Sequence, residues 1–128
     1  MPDRKQNELT RRALSFRYAF AGWVYVLRSQ PNAWIHAVAT IAVVILVFWL
    51  GLSRIEWAIL TLTIAFVWTA EFLNSALEAV IDLVSPEYHP LAKIAKDVAA
   101  GAVLVSACAA VIVGLLILGP PLWERVIN

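Results

Sequence analysis

Polar and apolar positions divide this chain into long blocks rather than short alternations. Residues 29–53 and 98–123 contain no Asp, Glu, Lys or Arg, and each is long enough to cross a bilayer, which takes about 20 predominantly apolar residues. A third run, residues 57–70, is shorter, but Ile55 and Glu56 before it and Phe72 and Leu73 beyond Glu71 extend it to another span. The pattern predicts an all-α membrane protein with three transmembrane helices, contained in residues 33–52, 55–84 and 91–118. Residues 10–28 read differently. Leu14, Ala19, Gly22 and Val26 fall on one side of a helix and Arg11, Arg17 and Arg28 elsewhere, with Phe16, Tyr18, Phe20, Trp23 and Tyr25 forming an aromatic belt. Such a segment is expected to lie in the membrane surface as an amphipathic helix.

Turn chemistry marks the boundaries. Pro31 suits the first position of a new helix and biases Gln30 toward an extended conformation, so the chain is expected to turn into the membrane there. Leu50-Gly51-Leu52-Ser53-Arg54 is too short for a domain outside the membrane, which makes the first two spans an antiparallel hairpin. Ser85-Pro86 breaks the long second span, and Glu87-Tyr88-His89-Pro90 leads into the third. No internal repeat or low-complexity segment interrupts what is expected to be a single domain over residues 1–128.

Composition agrees with this reading. The chain is 62% hydrophobic and 15% charged, far more apolar than a soluble domain can be without exposing large sticky surfaces. The N-terminus lacks a hydrophobic core followed by a small-residue cleavage site, so the first span is expected to remain in the mature protein. Cys108, the single cysteine, lies among Ala and Val in the third span. It offers neither a disulfide nor a thiolate metal site and reads as a small buried hydrophobe. The net charge of +1 argues nothing about nucleic acid, but no basic patch is interleaved with aromatics and no nucleic-acid partner is expected.

The distribution of charge is more informative than its sum. Arg4, Lys5, Arg11, Arg12, Arg17, Arg28, Lys93 and Lys96, eight of the ten cations, flank the same side of the spans. The positive-inside bias then places the N-terminus and the second connection in the cytoplasm, with the Arg54 turn and the C-terminus outside.

On that cytoplasmic side lies a strip of ionisable residues from Glu71 to Asp97. Glu71 is 15 residues past Glu56, about 22 Å along a helix at ~1.5 Å per residue, near the edge of the hydrocarbon. Glu71, Asn74, Ser75, Glu78 and Asp82 share one helix face, with Phe72, Leu73, Leu77, Val80 and Ile81 opposite. For Asp82 a merely solvated face explains the residue well. A carboxylate at lipid depth is costly unless paired, solvated or needed, so Glu71 and Glu78 read as functional. Glu71 can take a proton from a hydroxyl that cannot leave the bilayer. Glu78, closer to the cytoplasm, can hold Mg²⁺ and the phosphates of a soluble donor, while Lys96 neutralises phosphate charge. No glycine-rich nucleotide loop is present, so spacing alone does not name the donor.

The segment Glu71-Phe72-Leu73-Asn74-Ser75-Ala76-Leu77-Glu78-Ala79-Val80-Ile81-Asp82, followed by Glu87-Tyr88-His89 and Ala95-Lys96-Asp97, closely resembles the signature of the small bacterial diacylglycerol kinase and undecaprenol kinase family. The likeness extends to Ser15-Phe16-Arg17-Tyr18-Ala19-Phe20-Ala21-Gly22 and covers nearly the whole chain. It implies a homotrimeric enzyme of the bacterial cytoplasmic membrane that moves the γ-phosphate of ATP to a lipid alcohol, with active sites shared between subunits. By the same resemblance Glu71 matches the catalytic base, Glu78 a metal-binding carboxylate that also faces the nucleotide, and Lys96 with Asp97 the nucleotide-binding pair. Glu87, Tyr88 and His89 match positions beside the nucleotide, Asn74 and Glu71 positions at the lipid, and Arg11 and Tyr18 N-terminal positions near nucleotide and lipid.

One departure concerns Gln30, which stands where the diacylglycerol kinases usually carry a second metal-binding Glu before the first span. Either its carbonyl still coordinates Mg²⁺, or water and ATP oxygens fill the position and metal affinity falls. The family pattern favours diacylglycerol as acceptor, giving phosphatidic acid. Asn32-Ala33-Trp34-Ile35-His36 looks more like the undecaprenol kinase branch, whose product is undecaprenyl phosphate; His36 is either a marker of that branch or a satisfied interfacial histidine. The small residues Ala99, Ala100, Gly101, Ala102, Ser106, Ala107, Ala109, Ala110 and Gly114 form a close-packing face that suits oligomerisation. A proton-coupled exporter would also need a membrane glutamate, but nearer the bilayer middle and usually among four spans. A noncatalytic assembly subunit would leave the Glu-Tyr-His and Ala-Lys-Asp segments without a purpose.

Overall fold

The computed structural model describes the backbone of residues 4–127 and the side chains of residues 8 and 10–127. The ends of the 1–128 domain, and the side chains of Arg4 and Lys5 counted in the charge asymmetry, lie outside the described residues. Four helices follow one another: α1 (Arg4–Ser29), α2 (Pro31–Leu50), α3 (Arg54–Val84) and α4 (Pro90–Ile127). The last three are long and apolar enough to cross a membrane. Their outward faces carry large apolar side chains such as Ile41, Phe48, Leu62, Phe66, Leu104 and Leu116. A surface of that kind is stable against lipid, not water.

Each boundary has a local cause. Gln30 is extended (φ −113°, ψ 107°) and Pro31 opens α2, which separates α1 from α2 by a single residue. Gly51 closes α2 in the left-handed conformation (φ 66°, ψ 44°), and its N–H bonds the Val47 carbonyl at 3.2 Å, a position a side chain would strain. The next helix starts with a capping box that the charge pattern did not reveal. Ser53 Oγ accepts from Glu56 N at 3.4 Å while the Glu56 carboxylate accepts from Ser53 N at 2.7 Å, satisfying two donors that a helix start would otherwise leave free. At the other connection Leu91 N donates to His89 Nδ1 at 3.2 Å and Lys93 N to the His89 carbonyl at 3.1 Å. His89 thus caps α4, with Pro90 behind it in the position where a missing N–H does no harm.

Two helices run past their expected limits. The first begins at Arg4 rather than near residue 10, and α4 continues beyond 118 through Pro120 and Pro121 to Ile127. The prolines withdraw two donors from the helix, a loss that membrane helices accommodate where neighbours hold the segment. Here Leu118 and Leu122 pack with Val47 and Leu60 on either side of the proline pair, and the Arg125 guanidinium lies 5.2 Å from the centre of the Trp49 ring. Cys108, expected as a small buried hydrophobe, is instead exposed on α4. The buried face of α4 runs through Ala99, Val103 and Ser106, and position 108 turns away from it. That buried face belongs to the main contact of the fold, α3 against α4.

Apolar clusters tie the two ends of the bundle. At one end Val47, Leu60 and Leu118 join α2, α3 and α4. At the other, Val26, Ala33 and Trp68 join α1, α2 and α3, with Phe72 and Ile64 against them. Trp23 of α1 sits 4.6 Å from Trp68 and 4.7 Å from Phe72 between ring centres, the second contact edge-on. Packing of Trp23 against the buried Trp68 and half-buried Phe72 holds the end of α1 beside the polar stretch of α3.

Candidate active site

Glu71 is almost fully buried, at 1% exposure, and Asn74 and Ser75 are buried beside it. They follow helical spacing on α3, so one face presents the three side chains together, with Glu78 one turn further on. Ser75 Oγ donates to the Glu71 carbonyl at 2.9 Å, a bond that leaves the Glu71 carboxylate available. Asn74 Nδ2 donates to Glu78 Oε1 at 3.1 Å, and Gln30 Nε2, from the break between α1 and α2, donates to Glu78 Oε2 at 2.5 Å. Glu78 therefore holds an amide on each oxygen. The Asn74 Oδ1 atom is buried with no hydrogen-bond partner.

These groups line a pocket of about 300 Å³ with Asn32, His36, Ala100 and Val103. Across α2, Nε2 of His36 stands 3.8 Å from Glu71 Oε2. A second cavity of about 440 Å³ adjoins it, running between α2, α3 and α4 from Ile35 and His36 to Leu118 and Leu122. Its lining is almost wholly apolar, and Ile35, His36 and Ala107 belong to both cavities. The polar pocket is thus continuous with a groove of hydrocarbon character.

The rest of the strip is arranged otherwise. Lys96 Nζ meets Asp82 Oδ1 at 2.5 Å across α3 and α4, and Lys93 Nζ meets Asp97 Oδ2 at 2.6 Å one turn apart on α4. Lys96 and Asp97 are neighbours in sequence but pair with different residues. Glu87, Tyr88 and His89 are exposed in the connection, Tyr88 at 80%. Arg11 and Tyr18 are exposed on α1 and do not line the pocket. The structure therefore brings together Gln30, Glu71, Asn74 and Glu78, and leaves Arg11, Tyr18, Glu87, Tyr88, His89, Lys96 and Asp97 outside that pocket. Sequence reasoning missed the approach of His36 to Glu71 and the bond between Asp82 and Lys96. The only signal for the first was a polar residue one helical turn inside an apolar run.

Among the described residues no three His, Cys, Asp or Glu side chains gather as a metal cage. The oxygens present are nevertheless hard donors: the Glu78 carboxylate, the unpartnered Asn74 Oδ1 and the amide oxygen of Gln30. Mg²⁺ is typically held by one or two carboxylates completed by water and substrate phosphates, not by an all-protein cage. The set fits such an ion.

With that geometry in hand, the chain compares with known proteins as follows. Residues 17–118 match the prokaryotic diacylglycerol kinase family. A diacylglycerol kinase of Synechocystis sp. is 53% identical over 115 residues, 89% of this chain and 66% of the relative. An undecaprenol kinase of Bacillus subtilis is 46% identical over 117 residues, 91% of this chain and 95% of the relative. A diacylglycerol kinase of Escherichia coli K12 is 37% identical over 101 residues, 73% of this chain and 83% of the relative. The chain belongs to the prokaryotic diacylglycerol kinase family.

Proposed function

We propose that this chain, over residues 1–128, is a membrane kinase domain that transfers the γ-phosphate of ATP to the hydroxyl of a lipid alcohol, with diacylglycerol the favoured acceptor and phosphatidic acid the product. The observation that carries the reading is the buried Glu71 carboxylate in a polar pocket continuous with an apolar groove. A lipid lying in the bilayer can bring a hydroxyl to that carboxylate without leaving hydrocarbon. Glu71 takes the hydroxyl proton, the alcohol oxygen bonds to the γ-phosphorus, and the bond to the β-phosphate oxygen breaks to release ADP.

Glu78, Asn74 and, through its amide oxygen, Gln30 would hold Mg²⁺, which when bound neutralises the charge of the phosphates. Asn74 also serves the lipid side, beside Glu71. Lys96 binds phosphate after leaving Asp82, and Asp97, Glu87, Tyr88 and His89 form the rim over the nucleotide. Arg11 and Tyr18 reach the site from α1, which lies in the membrane surface as an amphipathic helix. Their absence from the pocket lining in one chain supports assembly as a homotrimer with sites completed between subunits. The cation asymmetry supports the bacterial cytoplasmic membrane as location, with the N-terminus and the site facing the cytoplasm.

Undecaprenol is the second reading. It is favoured by the placement of both Asn32 and His36 in the pocket lining and by the likeness to the Bacillus subtilis protein along 95% of its length. Purified protein in bilayers, with labelled ATP and Mg²⁺, is offered diacylglycerol and undecaprenol separately and in competition. Label in phosphatidic acid is the expected result; label only in undecaprenyl phosphate transfers the assignment to the second acceptor. A preparation that labels neither lipid sinks the kinase reading.

A further inference from the structure

His36 occupies the junction of the two cavities, lining both the polar pocket and the apolar groove. It is the one side chain of the polar pocket's lining able to carry positive charge. Its Nε2 faces Glu71 Oε2 at 3.8 Å, with the His36 side chain 14% exposed. Among the described residues no side chain donates a hydrogen bond to that carboxylate, and His36 is the one basic group within ion-pair range of it. The Ser75 hydroxyl goes to the Glu71 backbone, and the amides of Asn74 and Gln30 go to Glu78.

The imidazole is itself held. The Trp68 ring stands edge-on to it, 6.4 Å between centres. Trp68 Nε1 donates to Thr40 Oγ1 at 3.1 Å, and the Thr40 hydroxyl donates to the His36 carbonyl at 2.7 Å. Trp68 is buried and packed in turn by Trp23 and Phe72. Contacts from α1 through α3 to α2 therefore anchor the His36 backbone at Thr40 and set the Trp68 edge against its ring. A glutamate with three rotatable bonds needs such a partner to keep one geometry, because a misplacement of ~1 Å can reduce a rate about 100-fold.

We propose that His36 is the positioning residue for Glu71, fixing its carboxylate beside the junction of the groove and the pocket. The role rests on the reading of Glu71 as the base. It acts through Glu71 and has no part in holding ATP.

The test measures kcat and the KM values for ATP and lipid in the full chain reconstituted in bilayers, for wild type, His36→Ala, His36→Gln and His36→Phe. His36→Ala and His36→Phe are expected to lower kcat about 100-fold with the KM for ATP unchanged. His36→Gln, which returns a hydrogen-bonding group, recovers part of the loss. Imidazole added to the buffer restores His36→Ala but not Glu71→Gln. A His36→Phe protein with wild-type kcat overturns the proposal, as does a loss that neither Gln nor imidazole relieves, which would mark His36 as packing alone. If His36→Ala does not survive purification, the comparison of Gln with Phe decides by the same criteria. A wild type that labels no lipid overturns the kinase reading and this role with it, whereas an active wild type with unaffected variants overturns the role alone.

Discussion

The strip of ionisable residues has two halves built on different terms. Around Glu71 the groups are buried or half-buried and joined from the α1–α2 break and α2 to α3. From Asp82 to Asp97 they are exposed and joined only as surface ion pairs. Exposed pairs are weak because water screens them, which under the proposed function lets Lys96 and Asp97 exchange partners for a charged ligand. A single chain thus brings Gln30, Glu71, Asn74 and Glu78 together in one pocket and leaves Lys96 and Asp97 outside it. On the proposed function the difference suits the two substrates: a lipid hydroxyl must meet a group fixed in advance, while a soluble phosphate donor can be met by exposed charges.

Replacing a group of the buried half should therefore cost most. Glu78→Gln leaves the volume nearly unchanged but removes the carboxylate that both amides hold, and should lower kcat at fixed Mg²⁺ about 100-fold or more, recoverable in part at high Mg²⁺. A loss independent of Mg²⁺ would break the assignment of Glu78 to the metal. Gln30→Glu sharpens the same point. It sets a second carboxylate against Glu78, which repels without a cation between them and binds one better, so the Mg²⁺ giving half-maximal rate should fall about tenfold. An unaltered requirement would mean that position 30 does not touch the metal. Ser53→Ala, at the far end of α3, removes the capping box and should reduce stability by about 1 kcal/mol with kcat intact, measured by thermal unfolding in detergent alongside turnover. A matching fall in kcat would show that the two ends of α3 are not independent.

Much of the architecture was legible because it is written in consecutive residues. Charge-free runs mark the spans, Pro31 and Gly51 mark their ends, and the spacing from Glu71 to Glu78 places those acids on one helix face. What was hidden depends on which helix faces which. The partner of Lys96 is Asp82, 14 residues away on another helix, and the partner of Glu71 is His36; neither follows from periodicity within one segment. The exposure of Cys108 is hidden for the same reason, since an apolar membrane helix looks alike on its lipid face and its packed face. The continuation of α4 past 118 through Pro120 and Pro121 also depends on tertiary neighbours, with Trp49 and the Val47 cluster beside its last turns.

The division of labour between the halves is tested most directly by steady-state kinetics of Glu71→Gln and Lys96→Met measured together, with ATP and lipid varied in turn. Loss of a general base removes about 10²–10⁴ in rate, so Glu71→Gln should lower kcat on that scale while its KM for ATP stays at the wild-type value. Lys96→Met should instead raise the KM for ATP and leave the KM for lipid alone. Equal effects of the two substitutions on the same constants, or a Glu71→Gln protein that still phosphorylates lipid at the wild-type rate, would contradict the account.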